Sequence, residues 1–145
     1  MNQNLFTFRV NSTNPDAPLK ISAWANDVEF LAPTHVNSEI KVEFPFDDDL
    51  EKTYKIKIVL SGKTNEHTKI DGQGNIIEDT VLTFKDFELL EINLDSIVSK
   101  LAVYQHNFNG NDQEVKQNFY LSMGCNGTVE FDFTTPTYLW LLENL

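Results

Sequence analysis

Hydrophobic side chains recur at every second position over most of this chain. Phe6, Phe8 and Val10 alternate with Thr7 and Arg9, the period of a strand with one buried face. A loop rich in Asn, Asp and Pro follows over residues 11–18. Leu19, Ile21 and Ala23 then resume the period, and the turn-prone Ala25-Asn26-Asp27 leads into Val28 and Phe30, which predicts a hairpin. The clearest alternation is Ile40, Val42, Phe44, Phe46. Pro45 inside it cannot donate a ladder bond and marks an edge strand or a strand end. Tyr54, Ile56, Ile58 and Leu60 form another strong strand, whose Lys55 and Lys57 predict pairing with the strand that carries Lys41 and Glu43. Between Lys69-Ile70 and Ile76-Ile77, the glycines of Asp71-Gly72-Gln73-Gly74-Asn75 suit a tight or bulged hairpin turn.

From Val81 to Leu94 the apolar period is interrupted at Lys85-Asp86, so a bend or bulge is expected there in one long strand or between two short ones. Asp95 to Leu101 predicts one helical turn, with Asp95 as its cap and Leu94, Ile97, Val98 and Leu101 on one face. Strands are expected at Val103 to Phe108, Asn118 to Met123 and Thr128 to Phe133. The period breaks at the end: Thr134 or Thr135 as N-cap, Pro136 in the first helical position and the run Tyr138 to Leu142 predict a short helix that shelters Trp140. Short strands at this spacing, with almost no helix between them, predict an all-β, jelly-roll-like β-sandwich with a short C-terminal helix.

Composition narrows the partners. A chain of 145 residues fits one domain, spanning 1–145. Its 11 basic against 22 acidic side chains give a net charge of −11, which repels nucleic acid and anionic membrane surfaces. A lone Cys125 excludes an internal disulfide, so stability must come from packing. The opening MNQNLFTFRV has no basic head followed by an apolar run, so no secretory signal is expected.

Candidate chemistry is sparse. His35, His67 and His106 lie far apart without ligand-spaced partners, and no nucleophile elbow or phosphate loop is present, so an enzyme is not expected. Asp47-Asp48-Asp49 with Glu51, and Asp71 with Glu78 and Asp79, offer hard oxygen ligands for calcium or simply solvated acidic turns. No other cofactor is expected. The aromatic set Trp24, Tyr104, His106, Phe108 and Tyr120 is the candidate binding surface, because flat rings stack on amphipathic ligands such as sugars; core packing is the competing reading. A binding Trp24 should be at least half exposed.

The stretch from Lys55 to Leu94, in particular Ser61-Gly62-Lys63-Thr64 and Asp71-Gly72 to Ile77, together with Cys125-Asn126-Gly127-Thr128 through Trp140, resembles small proteins of large tailed phages of marine bacteria. The strand pattern I-x-I-x-L, a glycine, an acidic turn and a second apolar strand is also distantly similar to calcium-dependent carbohydrate-binding jelly-roll modules. These resemblances imply a non-catalytic accessory or virion-associated protein that binds a surface glycan or another virion protein, placed in the virion or the host cytoplasm. The alternative is a purely structural decoration or assembly protein. Self-association through an uncovered edge, near Pro45 or the loop Asn109 to Val115, is a further expectation.

Overall fold

A computed structural model describes residues 3–64 and 68–145 of the chain. In order, the strands are β1 (Gln3–Ser12), β2 (Lys20–Ala25), β3 (Val28–His35), β4 (Ile40–Asp47), β5 (Thr53–Ser61), β6 (Thr68–Ile70), β7 (Ile76–Asp79), β8 (Leu82–Leu89) and β9 (Ile92–Asn93). Helix α1 (Asp95–Leu101) precedes β10 (Val103–His106), β11 (Val115–Asn118), β12 (Ser122–Met123), β13 (Gly127–Thr134) and the terminal helix α2 (Thr137–Asn144). Two antiparallel sheets face each other: β12-β8-β1-β4, with β9 beside β8, and β11-β10-β13-β5-β2-β3. The jelly-roll-like sandwich with its closing helix is therefore the architecture that folds. Strands β6 and β7 form a separate hairpin around the Asp71–Asn75 turn. His67 lies outside the described residues.

The core forms where the inward registers meet. Phe6, Phe8, Phe87 and Phe133 are fully buried. Phe8 stacks on Phe87 at 5.0 Å and Phe6 on Phe133 at 5.7 Å, so rings from both sheets interlock. Such pairs add about 0.5–1.5 kcal/mol each beyond the area they bury. The predicted hairpin of β2 and β3 turns through Asn26 and Asp27, both at positive φ, as a two-residue turn with matched strand twist requires. Pro45 sits on β4, an edge strand, and Pro33 on β3, the corresponding edge of the other sheet. The rings of Phe30 and Phe44, one from each edge, meet at 4.8 Å and close that side.

Several expectations are corrected. Strands β4 and β5 are not neighbours: β4 pairs with β1, whereas β5 pairs with β13 and β2. The reason is that the chain crosses between sheets after Asp47, where Asp48 is buried beneath α2. Lys55 and Lys57 therefore face Asp132 and Glu130. In β8 the interruption at Lys85-Asp86 is a bulge with Asp86 at φ 56, so the buried set runs Leu82, Phe84, then Phe87, Leu89. The Asp95 side chain does not cap α1, whose N-cap is Leu94 without a side-chain bond. Its carboxylate instead accepts the Phe87 amide at 2.8 Å and the Asp86 amide at 3.2 Å, satisfying donors that the bulge removes from the ladder.

The strand expected over Val103 to Phe108 stops at His106, because a turn of 3-10 helix begins at Phe108. Asn118 to Met123 is only partly strand, with Leu121 at φ 62 breaking the run. The N-cap of α2 is Pro136, not a threonine. The capping oxygen comes from the distant Asp48, whose carboxylate accepts from the Thr137 amide at 2.7 Å and its hydroxyl at 2.6 Å. Trp140 and Leu141 are buried against the sandwich, as expected. Among the described residues, no helix is long and apolar enough to cross a membrane.

Candidate functional site

Strand alternation places Tyr104 and His106 inside the sandwich and Val103 and Gln105 outside. Tyr104 is only 3% exposed. Its hydroxyl donates to the Cys125 carbonyl and accepts the Cys125 amide at 2.8 Å, so the phenol ties a loop instead of meeting a ligand. His106, also buried, packs between Tyr104 at 4.6 Å and Phe108 at 4.7 Å, and its Nδ1 accepts the Phe108 amide. As surface ligand-binding residues both are corrected by this burial. Tyr120 is 74% exposed but lies beyond β11. Trp24 points outwards from β2, opposite in register to Ile21, yet less than half its surface is open. Lys57 Nζ lies 5.1 Å from its ring centroid. The aromatic set thus does not assemble into one surface.

What does assemble is the outer face of the six-stranded sheet. Register aligns Trp24, Lys57, Glu130 and Val103 across β2, β5, β13 and β10, and beside them Thr128, Gln105 and Lys116. A shallow groove of about 490 Å³ runs over this face, lined by Lys55, Leu101, Val103, Gln105, Lys116, Thr128, Glu130 and Asp132. Leu101 and Val103 are 42% and 43% exposed, an apolar strip between hydrogen-bonding groups. Among the described residues, neither Glu130 nor Asp132 forms an ion pair with the lysine across from it. Lys57 is drawn to Trp24 instead, leaving the Glu130 carboxylate free to accept. Read from the sequence alone, Glu130 and Asp132 are a solvated acidic stripe on one strand, and the aromatic Tyr104 and His106 point to the other face of β10. The available signal was the opposite parity, Val103 and Gln105, next to the Glu130-x-Asp132 stripe.

The acidic turns serve the fold. Asp48 is spent on Thr137 and on Asn4, whose amide donates at 2.7 Å, while Asp47 accepts the Asp49 amide. Asp71 accepts the amides of Gln73 and Asn75, and these bonds hold its carboxyl below the usual range. No group of three or more potential ligand side chains converges among the described residues. Burial pushes the Cys125 thiol up, which disfavours the thiolate a nucleophile needs.

Burial likewise raises the Tyr104 phenol far above its ordinary value. Above about pH 10 the unfolded chain loses a phenol proton that the native state keeps, so stability falls as pH rises. Denaturant melts at alkaline pH should show this decline, and Tyr104→Phe should lessen it. A slope unchanged by that substitution would contradict the buried phenol.

No protein-family model matches this chain, and no curated protein or solved structure is significantly similar to it.

Proposed function

We propose that this protein is a non-catalytic recognition module, of the virion-associated kind its sequence resembles, and that the groove on the outer face of the six-stranded sheet binds a surface glycan. The observation that carries this reading is the pairing of an apolar strip, Leu101 and Val103, with the free acceptors Glu130 and Asp132 and the amide and hydroxyl of Gln105 and Thr128. A sugar ring presents the same combination, an apolar C–H face edged by hydroxyls. A net charge of −11 favours neutral over anionic glycans. Such a module acts either in the virion or in the host cytoplasm.

The test is a glycan array followed by titration, with and without calcium. Glu130→Ala and Asp132→Ala should each weaken binding about tenfold, the worth of one or two hydrogen bonds, without altering the melting temperature. A flat response under both conditions overturns the glycan reading.

The second reading, a structural decoration or assembly protein, draws on α2, whose Tyr138, Leu139 and Leu142 remain exposed at 57%, 46% and 73%. Detection of the protein in purified phage particles without any glycan response would favour it.

A further inference from the structure

Helix α2 is apolar on two sides. Its inner side seats Trp140 and Leu141 in the sandwich, while Tyr138, Leu142 and Leu145 recur at i, i+4 and i+7 on the outer side with Leu139 beside them, and these four are exposed. A helix that is hydrophobic all round belongs in an enclosed setting, because a face left to water calls for polar side chains. Glu143 is the one charged side chain that α2 carries. Leu50, also exposed, belongs to the same corner: its carbonyl accepts from the Thr135 hydroxyl two residues before the helix, and the Lys52 carbonyl accepts the Thr135 amide at 2.9 Å. Single exposed leucines are ordinary, whereas a group of them marks a contact surface.

Charge says what covers this face. A groove of about 410 Å³ separates α2 from residues 51–53, with Leu139 and Glu143 on one side and Glu51 and Lys52 on the other. Glu51, Glu143 and the neighbouring Asp49 are exposed. The nearby cation, Lys52, holds its Nζ 5.0 Å from the Tyr54 ring centroid. From Gln117 to Leu145 the chain contains neither lysine nor arginine. The α2 face of a second copy would therefore bring acid against acid, on subunits that each carry a net charge of −11. An anionic bilayer is repelled likewise, since helices that lie on such surfaces carry a basic polar face. A surface with an apolar centre and basic edges matches both the leucines and the carboxylates.

We propose that the outer face of α2 docks an amphipathic helix of a partner protein, one whose apolar stripe is edged by lysine or arginine. Large apolar side chains at i, i+4 and i+7 of the incoming helix lie against Tyr138, Leu139 and Leu142, and its cations reach Glu143 and Glu51 at the mouth of the groove. Eight residues of α2 span about 12 Å, so the contact is two to three turns long. An interface this small is weak and transient, and its charged rim makes it sensitive to salt. The proposal uses the exposed face on which the assembly reading draws and is independent of the glycan groove.

The experiment is fluorescence anisotropy of a labelled synthetic peptide, leucine and lysine placed at amphipathic helical spacing, titrated with the full chain at physiological salt. Two control peptides accompany it, one with the same residues scrambled and one with glutamate in place of each lysine. The amphipathic lysine peptide should bind in the micromolar range and both controls at least about tenfold more weakly. Leu142→Ser should weaken binding about tenfold, the worth of one buried leucine, and leave the melting temperature unchanged because that side chain is exposed. Glu51→Lys/Glu143→Lys should reverse the preference between the lysine and glutamate peptides. Equal binding of the scrambled peptide, indifference to Leu142→Ser, or a preference for lysine that survives the charge reversal overturns the proposal. Self-association in sedimentation equilibrium that Leu142→Ser abolishes also overturns it and gives the face to a second copy. Binding to zwitterionic vesicles that the same substitution abolishes gives it to a bilayer and overturns it equally. Failure of the groove to bind glycans leaves each of these outcomes as informative as before.

Discussion

Replacing Asp79 with Ala should lower the unfolding free energy by about 3–5 kcal/mol, the usual cost of stripping the partner from a buried charge. Lys63 is the charge in question. Its side chain is 1% exposed, its Nζ lies 2.6 Å from Asp79 Oδ1, and it also donates to the Gly124 carbonyl. Backbone bonds to Asn126 grip the same residue from both sides, the Lys63 amide donating to Oδ1 at 2.9 Å and its carbonyl accepting from Nδ2 at 2.8 Å. Among the described residues, Asp79 is the one acidic side chain that this ammonium pairs with. For a chain of this size the loss corresponds to a fall of about 10 °C in melting temperature. Lys63→Met/Asp79→Leu, which removes both charges, should recover most of it. Urea melts of the single and double variants decide the matter: a single variant within about 1 kcal/mol of wild type would show that Lys63 finds another partner.

Asp48→Ala should cost about 2–4 kcal/mol, because it orphans an amide and a hydroxyl at a helix start that is otherwise sealed from water. Thr137 is fully buried, and its two donors converge on this one carboxylate, which also receives the Asn4 amide. The damage should be local first. Trp140, 6% exposed and 6.3 Å from the Phe133 ring, should become solvated as α2 detaches. In a Trp24→Phe background, red-shifted emission at denaturant concentrations where the sheets remain intact by circular dichroism would report this. Emission that shifts only with global unfolding would show α2 to be held by its apolar face alone.

Much of the fold was legible because burial has a period of two. Phe6, Phe8 and Val10, or Ile56, Ile58 and Leu60, cannot alternate in that way without facing a core. Pairing was not legible, since Lys55 and Lys57 match acids on any strand that lies beside them. The choice between Glu43 and the pair Glu130 and Asp132 is made where the chain passes from one sheet to the other after Asp47, a crossing that the local residue pattern does not mark. Caps were misassigned for the same reason: Asp95 serves the amides of the β8 bulge instead of α1, and the oxygen that caps α2 comes from Asp48 and not from Thr134 or Thr135. The groove stayed hidden because its residues are unremarkable one by one and gain meaning only when four strands bring them into register.

Asp86 occupies an unusual place in this arithmetic. Strike it out, and Leu82, Phe84, Phe87 and Leu89 would still fall on one side of an unbroken ribbon, since the bulge holds one residue more than the apolar repeat requires. The core would be satisfied without it. What would vanish is the pair of turned-away amides on which Asp95 rests, so the first helix would lose its mooring to the sheet while every oily side chain kept its berth. The spare residue serves attachment, and its worth is invisible to any count of hydrophobic contacts.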